Sequence, residues 1–226
     1  MTLVPIGRRL CAAVSTILLV LAMPASAQLT GAVKEGGFVG VTFVPRFTFD
    51  GVTFDGESAY KEIDGEELMF LPRVDQRKMF RGILGYRYRQ AALEVSYERT
   101  SHTGTFVGFP MDATFQAINV DGRFFIAPRS RVQPYALIGG SLPWLNIKDG
   151  SFLDPDVGDA RFKGYGVNTE AGVVIYPHPQ VGISVGYSYR ALWFDRVKGV
   201  SDTLFELRPR FKETSGSVVF TGTFVL

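Results

Sequence analysis

Cysteine is all but absent: Cys11 is the one example in 226 residues, so no disulfide can form within the chain. A domain of this size can bury a core without such a staple, so this absence excludes a disulfide framework and nothing more. Apolar runs long enough for a membrane-crossing helix, about 20 residues, are missing after the first few dozen positions. Neither sign of charge prevails, since Lys and Arg total 24 against 22 Asp and Glu. A nucleic-acid partner would require a basic surface, which this balance does not supply. Histidine occurs at His102 and His178 only, and no metal-ligand cluster, phosphate loop or nucleotide motif appears. Strong helical periodicity is lacking as well. What the chain does have is Phe (19), Tyr (9) and Gly (25), a composition suited to closely packed strands.

Residues 1–27 form a leader. Arg8 and Arg9 make a basic start, an apolar run covers Cys11 to Met23, and Ala25-Ser26-Ala27 is a small-residue cleavage site. The apolar run is short for a bilayer anchor. Cys11 precedes that run, so it is not a lipid-acceptor cysteine, and Arg8-Arg9 lacks the flanks of a twin-arginine signal. Cleavage before Gln28 would leave residues 28–226 as one domain outside the cytoplasm. It would also remove Cys11, Arg8 and Arg9, and with the two arginines the formal charge of +2.

The most ordered pattern lies in residues 78–99, KMFRGILGYRYRQAALEVSYER. Phe80, Gly82, Leu84, Tyr86, Tyr88, Ala91, Leu93, Val95 and Tyr97 form one alternate set. Arg81, Ile83, Gly85, Arg87, Arg89, Ala92, Glu94, Ser96 and Glu98 form the other. A period of two marks strands whose faces meet different surroundings. Only a tight turn fits near Arg89-Gln90, so the segment reads as a hairpin. Pairing Tyr88 with Ala91 sets Arg81 opposite Glu98 and Gly85 opposite Glu94.

Similar runs recur along the chain. The first is 36–49, with Val39, Val41, Phe43, Pro45 and Phe47 on one face and Gly40, Thr42, Arg46 and Thr48 on the other. Strand four, 113–126, sets Ile118, Val120, Phe124 and Ile126 against Asn119, Asp121 and Arg123. Strand five, 132–147, has no readable faces. Strand six, 164–176, sets Val167, Val173 and Ile175 against Asn168 and Glu170, and strand seven, 180–194, sets Val185, Tyr187, Tyr189 and Trp193 against Ser184, Ser188 and Arg190. Strand eight, 212–226, carries Val218, Phe220, Phe224 and Leu226 on one face. Eight strands result, joined alternately by tight turns and by longer loops at 50–76, 103–111, 148–163 and 195–211. This alternation is expected of an even-stranded barrel crossing an outer membrane, with short turns on the periplasmic side. A soluble sandwich or lipocalin-like barrel would instead pack the aromatic face inside.

Three stretches carry a family resemblance: GGFVGVTF at 36–43, VQPYALIGGS at 132–141 and GYGVNTEAGVVIYPHPQVGISVGYSYR at 164–190. They resemble the first strand, the Pro-Tyr fifth strand and the last central hairpin of the small eight-stranded outer-membrane β-barrels, akin to the transmembrane domain of outer membrane protein A. The resemblance implies an all-β, antiparallel up-and-down barrel in the bacterial outer membrane, with both termini periplasmic. It further implies contact with outer-membrane lipids and lipopolysaccharide, and with the barrel-assembly machinery during biogenesis. The chain stops with strand eight, so no peptidoglycan-binding domain is expected.

On this reading Phe80, Leu84, Tyr86, Tyr88, Leu93, Val95, Tyr97, Val173, Ile175, Val185, Tyr187, Tyr189 and Trp193 face lipid. Arg46, Arg81, Arg87, Glu94, Glu98, Asn119, Asp121, Arg123, Glu170 and Arg190 face the interior. Eight strands enclose a space that side chains just fill, so these charges should interlock as ion pairs, with inner glycines such as Gly85, Gly166 and Gly186 receiving large side chains from across the lumen. A plugged, non-enzymatic barrel is expected, serving envelope integrity or presenting loops 50–76, 148–163 and 195–211 to a partner. A narrow solute channel and a lipid A-modifying enzyme are the alternatives. For the enzyme, Ser101 and His102 are the candidates near the rim, with Glu98 below, but adjacent strand residues point to opposite faces. No cofactor is expected. The acidic residues Asp50, Asp55, Glu57, Glu62, Asp64, Glu66 and Glu67 of the first loop, with Asp149, Asp154, Asp156 and Asp159 of the third, could share divalent ions with lipopolysaccharide.

Overall fold

The computed structural model describes the backbone of residues 35–47, 53–54, 57–58, 60–63, 66–69, 73–74, 77–106, 109–148, 159–198 and 204–226, and the side chains of 35–47, 77–103, 112–148, 159–196 and 212–226. The leader with its cleavage site, and the side chains of the acidic loop residues other than Asp159, lie outside that description. Eight long strands are present: β1 (Gly36–Phe47), β2 (Arg77–Tyr88), β3 (Ala91–Phe106), β4 (Phe109–Phe125), β5 (Val132–Ile147), β6 (Ala160–His178), β7 (Val181–Lys198) and β8 (Leu204–Val225). Each pairs antiparallel with the next, and β1 pairs with β8, closing the sheet into a barrel.

Closure is staggered. Partners in register followed round the barrel from Val39 run through Leu84, Val95, Val120, Gly140, Val167 and Ala191 to Thr214. Val39 itself pairs with Phe224, ten positions further along β8 than Thr214. Such an offset tilts the strands by about 35–45° and leaves an interior that side chains can fill.

The β2–β3 hairpin has the register that its charges and turn indicate, with Tyr88 opposite Ala91, Gly85 opposite Glu94 and Arg81 opposite Glu98. On the outside, Leu84 is 65% exposed and Tyr86 60% exposed. Phe80, Tyr88, Leu93, Val95, Tyr97, Ile175, Val185, Tyr187 and Tyr189 are exposed as well, while Val173 and Trp193 are half-buried. Trp193 owes its cover to Tyr165, whose ring stacks on it at 5.6 Å, and to the Lys212 ammonium 5.8 Å above it. A contiguous apolar surface of this extent is stable only against another apolar phase.

Two features of the strands depart from the sequence reading. The register between β1 and β2 shifts between Val44 and Phe47, where Pro45 has no N–H to give the ladder. The extra residue interrupts the alternation. Arg46 is therefore exposed rather than lumenal, and Phe47, expected outside, is buried. The strands also continue past the membrane-spanning length of about 9–11 residues. The backbone of the segment read as a loop at 103–111 stays paired down to Phe106 opposite Phe109, and Arg196–Lys198 pair with Leu204–Glu206. Within the first long loop, Tyr60–Ile63 pairs with Glu66–Met69. The physical reason is that a β ladder stops only where a turn residue stops it, whereas the hydrophobic pattern stops at the edge of the apolar band.

Strand β5 also becomes readable. Gln133, Tyr135, Leu137, Ser141, Leu145 and Ile147 are buried, and Ala136, Ile138 and Leu142 are exposed. Its alternation escaped detection because both faces are largely apolar, so polarity could not distinguish them.

Candidate functional site: a filled lumen

The interior is stacked in layers along the barrel axis. Towards the loop end it is mainly apolar: Phe47, Phe115, Leu145, Phe162, Leu192 and Phe194 are fully buried in one cluster with Val44, Met79 and Ile147, and Glu213, paired with Leu192, and His102, beside Phe47, are buried at the same level. None of these was among the lumen residues expected from sequence. The signal was parity alone, because Leu192 and Phe194 continue the inward series that Arg190 begins, and Phe115 precedes Ala117 and Asn119 on the inward face of β4.

Below this cluster lies an ion triad. Glu98, on β3, is wholly buried. Arg190 reaches it from β7 across the lumen with a two-pronged contact, Nη1 to Oε1 at 2.6 Å and Nη2 to Oε2 at 3.0 Å. Arg81 on the neighbouring strand donates its Nε–H to Oε2 at 3.2 Å. The paired fork of guanidinium on carboxylate is the strongest form of this contact. The Arg190 guanidinium also lies 5.5 Å from the Phe47 ring and 5.9 Å from Phe115, so the apolar cluster rests on the triad.

Next comes an amide network. Asn168 donates from Nδ2 to Asn119 Oδ1 at 3.1 Å and to Asp121 Oδ1 at 3.3 Å, and Asn119 donates to Ser96 Oγ at 3.2 Å. Asp121 is buried without an ion-pair partner within 4.0 Å among the described residues; its carboxylate is held by this amide. Further down, Arg123 meets Glu94 at 2.8 Å and Glu170 at 3.9 Å, while Tyr135 donates its hydroxyl to Glu170 at 2.7 Å. The Arg123 guanidinium stacks 4.4 Å from the Tyr135 ring.

The turn end is closed by aromatic rings. Arg87 is buried, but its partners are neutral. It donates to the Tyr176 hydroxyl and, at 2.7 Å, to Gln133 Oε1, and it lies 4.0 Å over the Phe125 ring. Gln133 in turn donates to the carbonyls of Pro128 and Ser130 at 2.8 Å, tying the layer to the β4–β5 turn. Of the nine charged residues expected in the lumen, ion pairs join Arg81, Glu98 and Arg190 in one group and Glu94, Arg123 and Glu170 in another. Arg87 and Asp121 are lumenal but bonded to neutral groups, and Arg46 is outside. The inner glycines receive side chains, though from neighbouring strands and not from across the lumen: the Phe38 ring covers its paired Gly85, Leu192 lies on its paired Gly166, and the Tyr135 hydroxyl reaches Gly186 from two strands away.

Little open space is left among the described residues of the lumen. A cavity of about 10 Å³ bordered by Arg81, Ser188, Arg190 and Ser215 holds at most a water or so. Ser101 is exposed and His102 is buried beside Phe47, at 5.8 Å between rings, so the two sit on opposite faces of β3. His178 is exposed at the β6–β7 turn, its Nδ1 accepting from the Gln180 N–H. Among the described residues no group of three or more His, Cys, Asp or Glu could hold a metal ion.

A closed antiparallel barrel of eight strands, polar and filled inside and apolar outside, is the architecture of the small outer-membrane β-barrels. Solved structures agree with this. The chain is similar to Neisserial surface protein A, with a TM-score of 0.54 and 17% identity over 87% of this chain and 99% of that one. It is also similar to the outer membrane protein OprG from Pseudomonas aeruginosa, with a TM-score of 0.51 and 12% identity over 86% of this chain and 99% of that one. No family model matches the sequence, and no curated relative matches it significantly. What these likenesses share with the chain is the fold.

Proposed function

We propose that this protein is a non-enzymatic barrel of the bacterial outer membrane with a permanently closed lumen. Its loop end faces outward, both termini lie in the periplasm, and it reaches the membrane through the barrel-assembly machinery. Its contribution is mechanical and superficial: a rigid staple in the envelope that holds its loops for contact with lipopolysaccharide or a surface partner. The observation that carries this reading is the stack of sealed layers, above all Phe47, Phe115, Leu145, Phe162, Leu192 and Phe194 over the Arg81–Glu98–Arg190 triad. A solute would have to displace fully buried rings and two ion-pair groups to pass. Purified protein in planar bilayers is therefore expected to give no stable open level. A clean, persistent conductance step would replace this reading with a narrow channel.

Orientation has its own test. The chain beyond the leader has no cysteine, so a single introduced thiol reports cleanly. Ser151→Cys in the third loop should react with a membrane-impermeant maleimide on intact cells, and Ser130→Cys at the β4–β5 turn should react only after the outer membrane is permeabilised. The reverse pattern would turn the barrel over.

A further inference from the structure

On three adjacent strands the outward residues change in the same order towards the loop end. On β1 the series runs Val41, Phe43, Arg46; on β2 it runs Leu84, Phe80, Lys78; on β3 it runs Val95, Tyr97, Arg99. Aliphatic side chains give way to aromatic ones and these to cations, the sequence of environments met on leaving hydrocarbon for headgroups. The rings of Phe43 and Phe80 touch, 5.2 Å between centroids, and mark the edge of the apolar band. Immediately beyond them Arg46, Arg77, Lys78 and Arg99 line an open groove of about 630 Å³, with Thr100 and Ser101 as the other polar residues and no acid among the described residues of its wall.

Among the described residues none of these four cations has a carboxylate within 4.0 Å. Arg77 donates from Nη2 to Thr103 at 2.8 Å, which leaves its remaining donors directed elsewhere. A second rim groove, bordered by Trp144, Arg161, Lys163 and Arg196, differs in that Arg196 has a carboxylate partner, Asp195 at 3.1 Å. Four cations brought together with no counter-charge among the described residues repel one another, and a multiply charged anion relieves that repulsion. Guanidinium groups match phosphate oxygens in shape as well as sign.

We propose that the β1–β3 groove is a binding site for the phosphate groups of a phosphorylated glycolipid of the outer leaflet, the lipid A portion of lipopolysaccharide. The acyl chains would lie along Val41, Leu84 and Val95 and the phosphates among Arg46, Arg77, Lys78 and Arg99. This rests on the membrane-spanning reading above. It differs from the divalent-ion contacts expected of the acidic loops, because the groove binds phosphate directly and needs no metal.

The test uses the full protein refolded in zwitterionic micelles with EDTA present, and native mass spectrometry to measure retention of diphosphoryl lipid A. The combined variant Arg46→Gln, Lys78→Gln, Arg99→Gln should bind on the order of 100-fold more weakly, since each basic side chain at a headgroup contributes a factor of about five. The turn-end variant Arg89→Gln, Arg129→Gln, Arg131→Gln should bind like the parent, and dephosphorylated lipid A should bind the parent weakly. Raising salt should weaken retention of diphosphoryl lipid A by the parent, a readout independent of any substitution. Equal loss in the two triple variants, undiminished binding by the groove variant, equal retention of dephosphorylated lipid A or of phosphatidylglycerol, or indifference to salt would each overturn the assignment. A parent that does not show heat-modifiable gel migration would instead sink the barrel reading beneath it.

Discussion

Glu98→Ala is expected to destabilise the barrel by about 3–5 kcal/mol, because it leaves two buried guanidinium groups without their counter-ion. The carboxylate serves Arg81 and Arg190 together, and it joins β3 to β7 across the lumen, a contact no neighbouring strand can replace. Arg81→Met should cost less, since Arg190 would still hold both carboxylate oxygens. Replacing the whole triad, with Arg81→Met, Glu98→Leu and Arg190→Met together, should return stability towards that of the parent, as apolar packing substitutes for a desolvated ion group at little net cost. Urea unfolding in lipid vesicles, followed by heat-modifiable migration, measures all three. An unchanged midpoint for Glu98→Ala would mean that the triad carries no stability.

Leu84→Arg is expected to cost about 2–4 kcal/mol in a bilayer, the penalty for a cation at the mid-depth of a lipid-facing wall. Leu84 is among the most exposed apolar residues, midway between the Phe80 edge and the Tyr88 turn. Val120→Arg, two strands away on the same ladder, should behave alike. Tyr88→Arg, at the turn-end rim, should cost about 1 kcal/mol or less. The gradient between positions is the informative quantity. Equal penalties at Leu84 and Tyr88 would show that this surface meets no hydrocarbon layer.

The parts of the molecule legible from sequence are those governed by local rules. In residues 78–99 a tight turn and opposite charges on one face suffice to define the register, so Arg81 could be set against Glu98 before any barrel was considered. The same logic failed at Arg46, where a bulge beside Pro45 inserts a residue that polarity does not reveal. It also failed for β5, whose inward Leu137, Leu145 and Ile147 look no different from its outward Ile138 and Leu142. Polarity separates two faces only when their surroundings differ, and along β5 both the lumenal and the outward positions are largely apolar.

Alternation with period two belongs to each strand alone, and eight such strands joined by short and long connections left a closed, membrane-facing barrel as the simplest solution. That much was present in the order of the residues. Which side chains meet inside was not. Arg190 reaches Glu98, and Asn168 reaches Asn119 and Asp121, because the sheet closes with a ten-residue offset between Thr214 and Phe224. That offset is a property of the whole circuit of strands and is written in none of them. The apolar seal over the triad and the cluster of cations beyond Phe43 and Phe80 depend on it too, since both require residues far apart in sequence to arrive at one height.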